Sequence, residues 1–98
     1  MQDVFKALAD PTRRRILELL REREMTAGEI ATHFSVSKPT LSGHFTVLRA
    51  ADLITAEKAG TQITYRLNLS VVEETLLAFS DALGVGLAKP ARRRAAKT

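Results

Sequence analysis

The sequence predicts a mainly α fold with a small β-hairpin (α+β): a winged helix-turn-helix of four helices, two strands and a fifth helix. Three observations predict it. Residues 26–49, TAGEIATHFSVSKPTLSGHFTVLR, read as two short helices joined by a tight turn. Directly after them, two alternating stretches flank Ala59-Gly60-Thr61, the pattern of two strands around a glycine turn. Helical periodicity precedes and follows this unit.

Residues 3–9 (DVFKALA) make a first short helix with Val4, Phe5 and Leu8 on one side. Asp10 closes it and N-caps the next, with Pro11 at the first helical position, where a missing N–H costs nothing. This second helix runs to about Arg23 and buries Ile16, Leu17 and Leu20. Arg13, Arg14 and Arg15 fall in its first turns, against the helix dipole. They either pair with Asp10, Glu18 or nearby backbone carbonyls, or reach a phosphate.

Thr26 and Glu29 form a capping-box pair that opens a third helix, with Ile30, Ala31 and Phe34 on its apolar side. Val36 and Ser37 make a turn with a second N-cap, and Pro39 falls in the first turn of the fourth helix. Leu41, Phe45 and Leu48 recur at helical spacing and face inward, whereas Lys38, Ser42, Gly43, Thr46 and Arg49 lie opposite. This helix ends near Ala51, with Asp52 at its C-cap. Residues 53–58 and 62–67 supply the hairpin strands. Ser70 and Glu73 repeat the capping-box spacing and open a last helix to about Leu83. Its Val72, Leu76, Phe79 and Leu83 line one face, with Val71 and Leu77 beside them. That is more apolar surface than so small a core needs, and it predicts burial both in the core and against a second subunit. Residues 1–83 thus form one domain. Gly84 and Gly86 break the helix, and residues 84–98, lacking periodicity, are expected to be a disordered basic tail.

Composition excludes several function classes. No cysteine is present, which removes disulfides, thiolate metal sites and cysteine catalysis together. No apolar run approaches the ~20 residues of a membrane span. The N-terminal MQDVFKALADP lacks the basic stretch and apolar core of a signal peptide, so a cytoplasmic protein is expected. The net charge of +4 is a property of the tail. Five of the 15 Lys and Arg lie in 89–98, which hold no acid, leaving ten bases against 11 acids, a balance of −1. The tail's Arg92-Arg93-Arg94 either adds salt-sensitive affinity for phosphates or serves as a solubilising end.

A helix anchored by large residues on one face, with small donors on the other, suits close entry into a nucleic-acid groove. Ser and Thr hydroxyls can serve base edges or phosphates, Lys38 near the helix start can reach a phosphate, and Gly43 lets backbone approach closely. His44 either contacts a phosphate or base or makes a structural hydrogen bond; His33 reads as a surface or half-buried position. The two histidines, 11 residues apart on different helices, offer no metal-ligand cluster. Glu73, Glu74 and Asp81 read as solvated surface. With no nucleophile–base pair, phosphate-cradling glycine loop or acid/base dyad, no enzyme activity and no cofactor are expected.

Three segments, ALADPTRRRILELL, TAGEIATHFSVSKPTLSGHFTVLRAADLI and the wing up to YRLN, together resemble the ArsR-type winged-helix transcriptional repressors, most closely the metal-independent SdpR-like autorepressor branch. The resemblance covers about residues 2–83. It implies a homodimer, built from the first and last helices through Val4, Phe5, Leu8, Val72, Leu76, Phe79 and Leu83. It implies double-stranded DNA with an inverted-repeat operator as the partner. By position, Ser37, Lys38, Thr40, Ser42, Gly43, His44, Thr46 and Arg49 fall on the recognition helix, and Lys58, Gly60, Thr61 and Gln62 on the wing. Two departures stand out. The Cys-x-Cys-type pair of metal-sensing members and the last-helix histidine of others are missing, so no metal is expected. Asp52 stands where the family usually has glycine, which an Asp can replace at some conformational cost. Two alternatives remain open: a winged helix holding a protein partner, and a repressor answering an unidentified small-molecule effector.

Overall fold

The computed structural model describes residues 2–86. Its elements run α1 (Gln2–Leu8), α2 (Pro11–Glu22), β1 (Met25–Thr26), α3 (Ala27–Ala31), α4 (Lys38–Ala50), β2 (Ile54–Ala59), β3 (Gln62–Leu67) and α5 (Leu69–Leu83). The expected tail lies outside the described residues from position 87 onward.

Asp10 caps α2 as its position predicts, its Oδ1 accepting from Thr12 N at 2.7 Å and Arg13 N at 3.2 Å. Desolvation alone would raise this carboxyl's pKa. The N–H bonds from Arg13 and Thr12, with the Arg13 charge beside them, outweigh it and hold the group below 3.8. A depressed folded pKa contributes stability that is present above the unfolded value and lost as pH falls through the folded one. Asp10→Asn, a neutral cap of the same shape, is therefore expected to melt below wild type at pH 7. Thermal scans should show that gap closing as pH is taken below 3.8; a gap constant with pH would remove the charge from the account.

The Thr26–Glu29 capping box is complete, with Glu29 N donating to Thr26 Oγ1 at 3.1 Å and Thr26 N to Glu29 Oε1 at 2.9 Å. The α3 helix is only five residues long, and Phe34 reaches the core margin from the turn beyond it. Leu41, Phe45 and Leu48 of α4 are all buried, as the helical period predicts. The Phe45 ring stacks on Tyr65 of β3, centroids 4.3 Å apart, and so locks α4 to the sheet. Ile16, Leu19 and Leu20 of α2 complete this core with Ile30, Leu53 and Ile54; Leu17 is half-buried.

The end of α4 is a Schellman motif. Asp52 N donates to Arg49 O and Leu53 N to Leu48 O, with Asp52 at φ 60°. The same bonding closes α5, but there Gly84 holds the left-handed position at φ 72°. Because a Cβ disfavours that region, Asp52→Gly should stabilise the fold by about 1 kcal/mol, read as a rise in melting temperature. No rise would mean that the Asp52 side chain offsets its own strain.

The sheet has three antiparallel strands in the order β1-β3-β2, not two. The unexpected β1 pairs Met25 with Tyr65 and Thr26 with Thr64. The wing strands pair from Ile54↔Leu67 to Ala59↔Gln62. Their two-residue turn places Gly60 at φ 64°, the positive φ that tight hairpins require.

Two expectations for α5 are corrected. The helix starts at Leu69 after an N-cap Asn68 whose side chain makes no capping bond, so Ser70 lies inside the first turn and no Ser70–Glu73 box forms. Its start is set by backbone instead. Asn68 N donates to Leu53 O at 2.9 Å, and Val72 N then donates to Asn68 O. Nor is the apolar face buried in the core. Ser80 is the one buried residue of α5, Val71 and Val72 pack at the core margin, and Leu76 and Leu83 stay 42% and 61% exposed.

Candidate nucleic-acid interface

The candidate surface is built on α4. Burial of Leu41, Phe45 and Leu48 forces Lys38, Pro39, Thr40, Ser42, Gly43, Thr46 and Arg49 to the outside, and all seven are exposed. Helix geometry alone requires that separation. An added Cβ at Gly43 would meet nothing within 4 Å, so this point of the face is open.

The hydroxyls differ in what they have left to offer. Ser37 N-caps α4, its Oγ accepting from Thr40 N at 3.3 Å and donating to Thr40 Oγ1 at 2.9 Å. Its proton is thus used within the turn, whereas that of Thr40 is free. Thr46 Oγ1 donates to Ser42 O at 3.1 Å, which leaves its lone pairs and methyl for a ligand. The Ser42 hydroxyl makes no hydrogen bond among the described residues. It stands at the rim of a crevice of about 260 Å³ between α3, α4 and β3, with Lys38 beside it.

Charge follows the same division. The ion pairs among the described residues are Arg15–Glu18, Arg23–Glu29, Arg66–Glu24 and Arg66–Glu57. Lys38, Arg49 and Lys58 take part in none of them. Three cations at the two ends of α4 and on the wing are therefore uncommitted to any ion pair among the described residues. Burial raises the Tyr65 pKa, and the positive charge of Arg49 works against it. The wing residues Lys58, Gly60, Thr61 and Gln62 are all exposed around the hairpin tip.

His44 is placed differently from its neighbours. It is half-buried, and its Nδ1 lies 3.1 Å from Arg13 Nη1. Arg13 also donates from Nε to Ala7 O at 2.9 Å and from Nη2 to Lys6 O at 2.7 Å. Arg14 donates to Leu8 O, and Arg15 pairs with Glu18. Backbone and carboxylate partners, one of the two readings open from sequence, thus account for the triple arginine. The link from Arg13 to His44 spans 31 positions and had no signal in the sequence.

A second apolar surface lies away from α4. Phe5 and Phe79 meet with centroids 4.5 Å apart, and beside them Val4, Leu8 and Leu76 line an open groove of about 240 Å³. Val72 is half-buried and packs against the core. The residues expected at a dimer interface therefore gather where α1 meets α5, with Leu83 further along the helix. Among the described residues, no three of His, Cys, Asp and Glu come together as ligands for one metal ion, and no helix is long and apolar enough to cross a membrane.

Residues 10–56, which span α2 to the first half of β2, match the family described as "Bacterial regulatory protein, arsR family". The chain is 47% identical over 76 residues to the transcriptional repressor SdpR of Bacillus subtilis, covering 78% of this chain and 84% of that protein. It is 37% identical to the HTH-type transcriptional regulator KmtR of Mycobacterium tuberculosis, over 96% of this chain and 73% of that one. Among solved structures, a possible transcriptional regulator for arsenical resistance superposes with a TM-score of 0.74 at 33% identity, covering 98% of this chain and 96% of its own. An ArsR-like transcriptional regulator from Rhodococcus sp. RHA1 superposes with a TM-score of 0.73 at 33% identity, over 97% and 86%. With the helix-turn-helix and wing in that order, the chain belongs to the arsR family of bacterial regulatory proteins, which are DNA-binding transcriptional repressors and not enzymes.

Proposed function

We propose that the protein is a cytoplasmic, homodimeric repressor that binds an inverted-repeat operator without sensing a metal. The observation that carries this reading is α4 itself. Leu41, Phe45 and Leu48 are buried, and the outer face offers uncommitted cations, free hydroxyls and an open glycine. Two such helices related by a dimer axis enter successive major grooves about 34–36 Å apart. Lys38, Arg49 and Lys58 serve phosphates and set the register; Ser42, Thr46 and Thr40 read base edges, with Gly43 allowing close approach. Ser37 shapes the turn, and Gly60, Thr61 and Gln62 bring the wing to the flanking backbone or minor groove. Repression follows when the occupied operator overlaps a promoter and excludes polymerase.

The apolar groove between α1 and α5 supports the dimer. An exposed patch of Phe5, Leu76 and Leu83 is what a second copy would cover. Metal independence is supported by the sequence, which has no cysteine and only two histidines, 11 residues apart.

Selection from random duplex DNA on the purified protein, repeated with a chain ending at Ala88, tests the reading. An inverted repeat recovered by both chains is the expected result. Salt-sensitive retention without a motif, lost on truncation, would assign DNA binding to the tail. The α4 face would then be a surface for a protein partner.

A further inference from the structure

We propose that Arg13, on α2, is a positioning residue for α4: it fixes His44 as the neutral tautomer protonated at Nε2, and that N–H donates to a backbone phosphate oxygen of the operator. The inference rests on the proposed operator binding and adds to it how this side chain is prepared. A guanidinium has only donors. Its Nη1 lies 3.1 Å from His44 Nδ1, so Nδ1 must be the lone-pair acceptor, and the single ring proton of neutral histidine then resides on Nε2. Nε2 makes no hydrogen bond among the described residues, and no side-chain nitrogen or oxygen there is both buried and unpartnered. Nε2–H therefore reaches solvent with its donor unused.

Arg13 cannot turn away from this task. Nε and Nη2 are held by Ala7 O and Lys6 O at the end of α1, and its own backbone N–H is held by Asp10. The fork is thus clamped on one side and presents Nη1 on the other. His44 sits on the flank of α4 that meets α1 and α2, off the open Ser42–Gly43–Thr46 face. A donor at the flank of a recognition helix suits the phosphate backbone beside the groove better than base edges within it. The clamp also ties the end of α1, a helix of the proposed dimer surface, to the helix that reads DNA.

Two measurements test this on the full chain. The first needs no DNA. Two-bond ¹H–¹⁵N correlation in the free protein should show His44 with a bare Nδ1 and a protonated Nε2. In Arg13→Met the population of that tautomer should fall to the mixture of a free neutral imidazole, with a measurable Nδ1–H share. A proton on Nδ1 in the wild type, or a spectrum unchanged in Arg13→Met, would overturn the positioning role. The second measures affinity for the duplex recovered by selection. His44→Phe, which keeps the ring but loses both nitrogens, should weaken binding roughly tenfold on all sequences alike, as a lost phosphate contact does. His44→Gln, which offers an acceptor and an N–H donor, should recover most of that loss. Because a neutral donor releases no counterion, the salt slope should stay unchanged in His44→Phe. Arg13→Met should cost little more once His44 is already Phe. Wild-type affinity in His44→Phe, a slope reduced by about one, or additive losses would each overturn the proposal. Failure to recover any motif would instead sink the operator reading, while the tautomer result stands by itself.

Discussion

Gly43→Glu is expected to reduce operator affinity at least a hundredfold while leaving the melting temperature close to that of the wild type. The two halves of this result have separate causes. Nothing lies within 4 Å of a Cβ at this position, so the fold accepts a side chain there, and glutamate is a better helix former than glycine by roughly 0.5–1 kcal/mol. In the complex the same side chain would place bulk and negative charge where DNA backbone and bases close on the helix. A hundredfold loss corresponds to about 2.7 kcal/mol, well within the cost of desolvating an unpaired carboxylate beside phosphates. Gly43→Ala separates the terms, gaining stability but losing much less affinity. Titration of the recovered duplex beside a thermal melt reads both. Unchanged affinity in Gly43→Glu would remove α4 as the recognition helix.

Leu76→Glu is expected to yield a folded monomer that binds the operator about a hundredfold more weakly. Leu76 is 42% exposed at the groove between α1 and α5, so one chain loses little by the change. Across a two-fold axis, however, each new carboxylate meets an apolar patch and approaches its own symmetry mate. A dimer also gains from linkage, since once one half-site is occupied the second binding event is intramolecular; that advantage is worth ~10²–10⁴. Sedimentation at micromolar concentration reads the first effect and duplex titration the second. A variant that remains dimeric would place the interface elsewhere. One that turns monomeric without losing affinity would mean that a single chain reads the site.

What the sequence reveals of this protein depends on the length over which a pattern repeats. Leu41, Phe45 and Leu48 lie at helical spacing over about two turns, and that suffices to separate the two faces of α4 from the sequence alone. The hairpin is equally legible, because six-residue strands alternate around a glycine that must adopt positive φ. The β1 strand is not legible, since two residues cannot display alternation and its pairing with Tyr65 and Thr64 lies almost 40 positions away. Ser70 and Glu73 carry the right spacing for a capping box, yet the backbone tie from Asn68 to Leu53 starts the helix two residues earlier. Local pattern gave way there to a tertiary hydrogen bond.

The apolar face of α5 was legible as apolar, but composition does not say what covers it. The structure leaves Leu76 and Leu83 outside the core. Within the candidate site, the exposed positions of α4 followed from periodicity. The allocation of donors did not, because it depends on which proton is already used: Ser37 on Thr40, Thr46 on Ser42, Arg13 on His44.

The central claim, that α4 enters the major groove, is tested most directly by methylation protection at guanine N7 on the selected duplex, since N7 lies on the major-groove edge. Two clusters of protected guanines are expected, centred about 10–10.5 base pairs apart on one face of the duplex, both lost with Gly43→Glu. Full N7 reactivity on DNA saturated with wild-type protein would contradict it, and α4 would have to face something other than the groove.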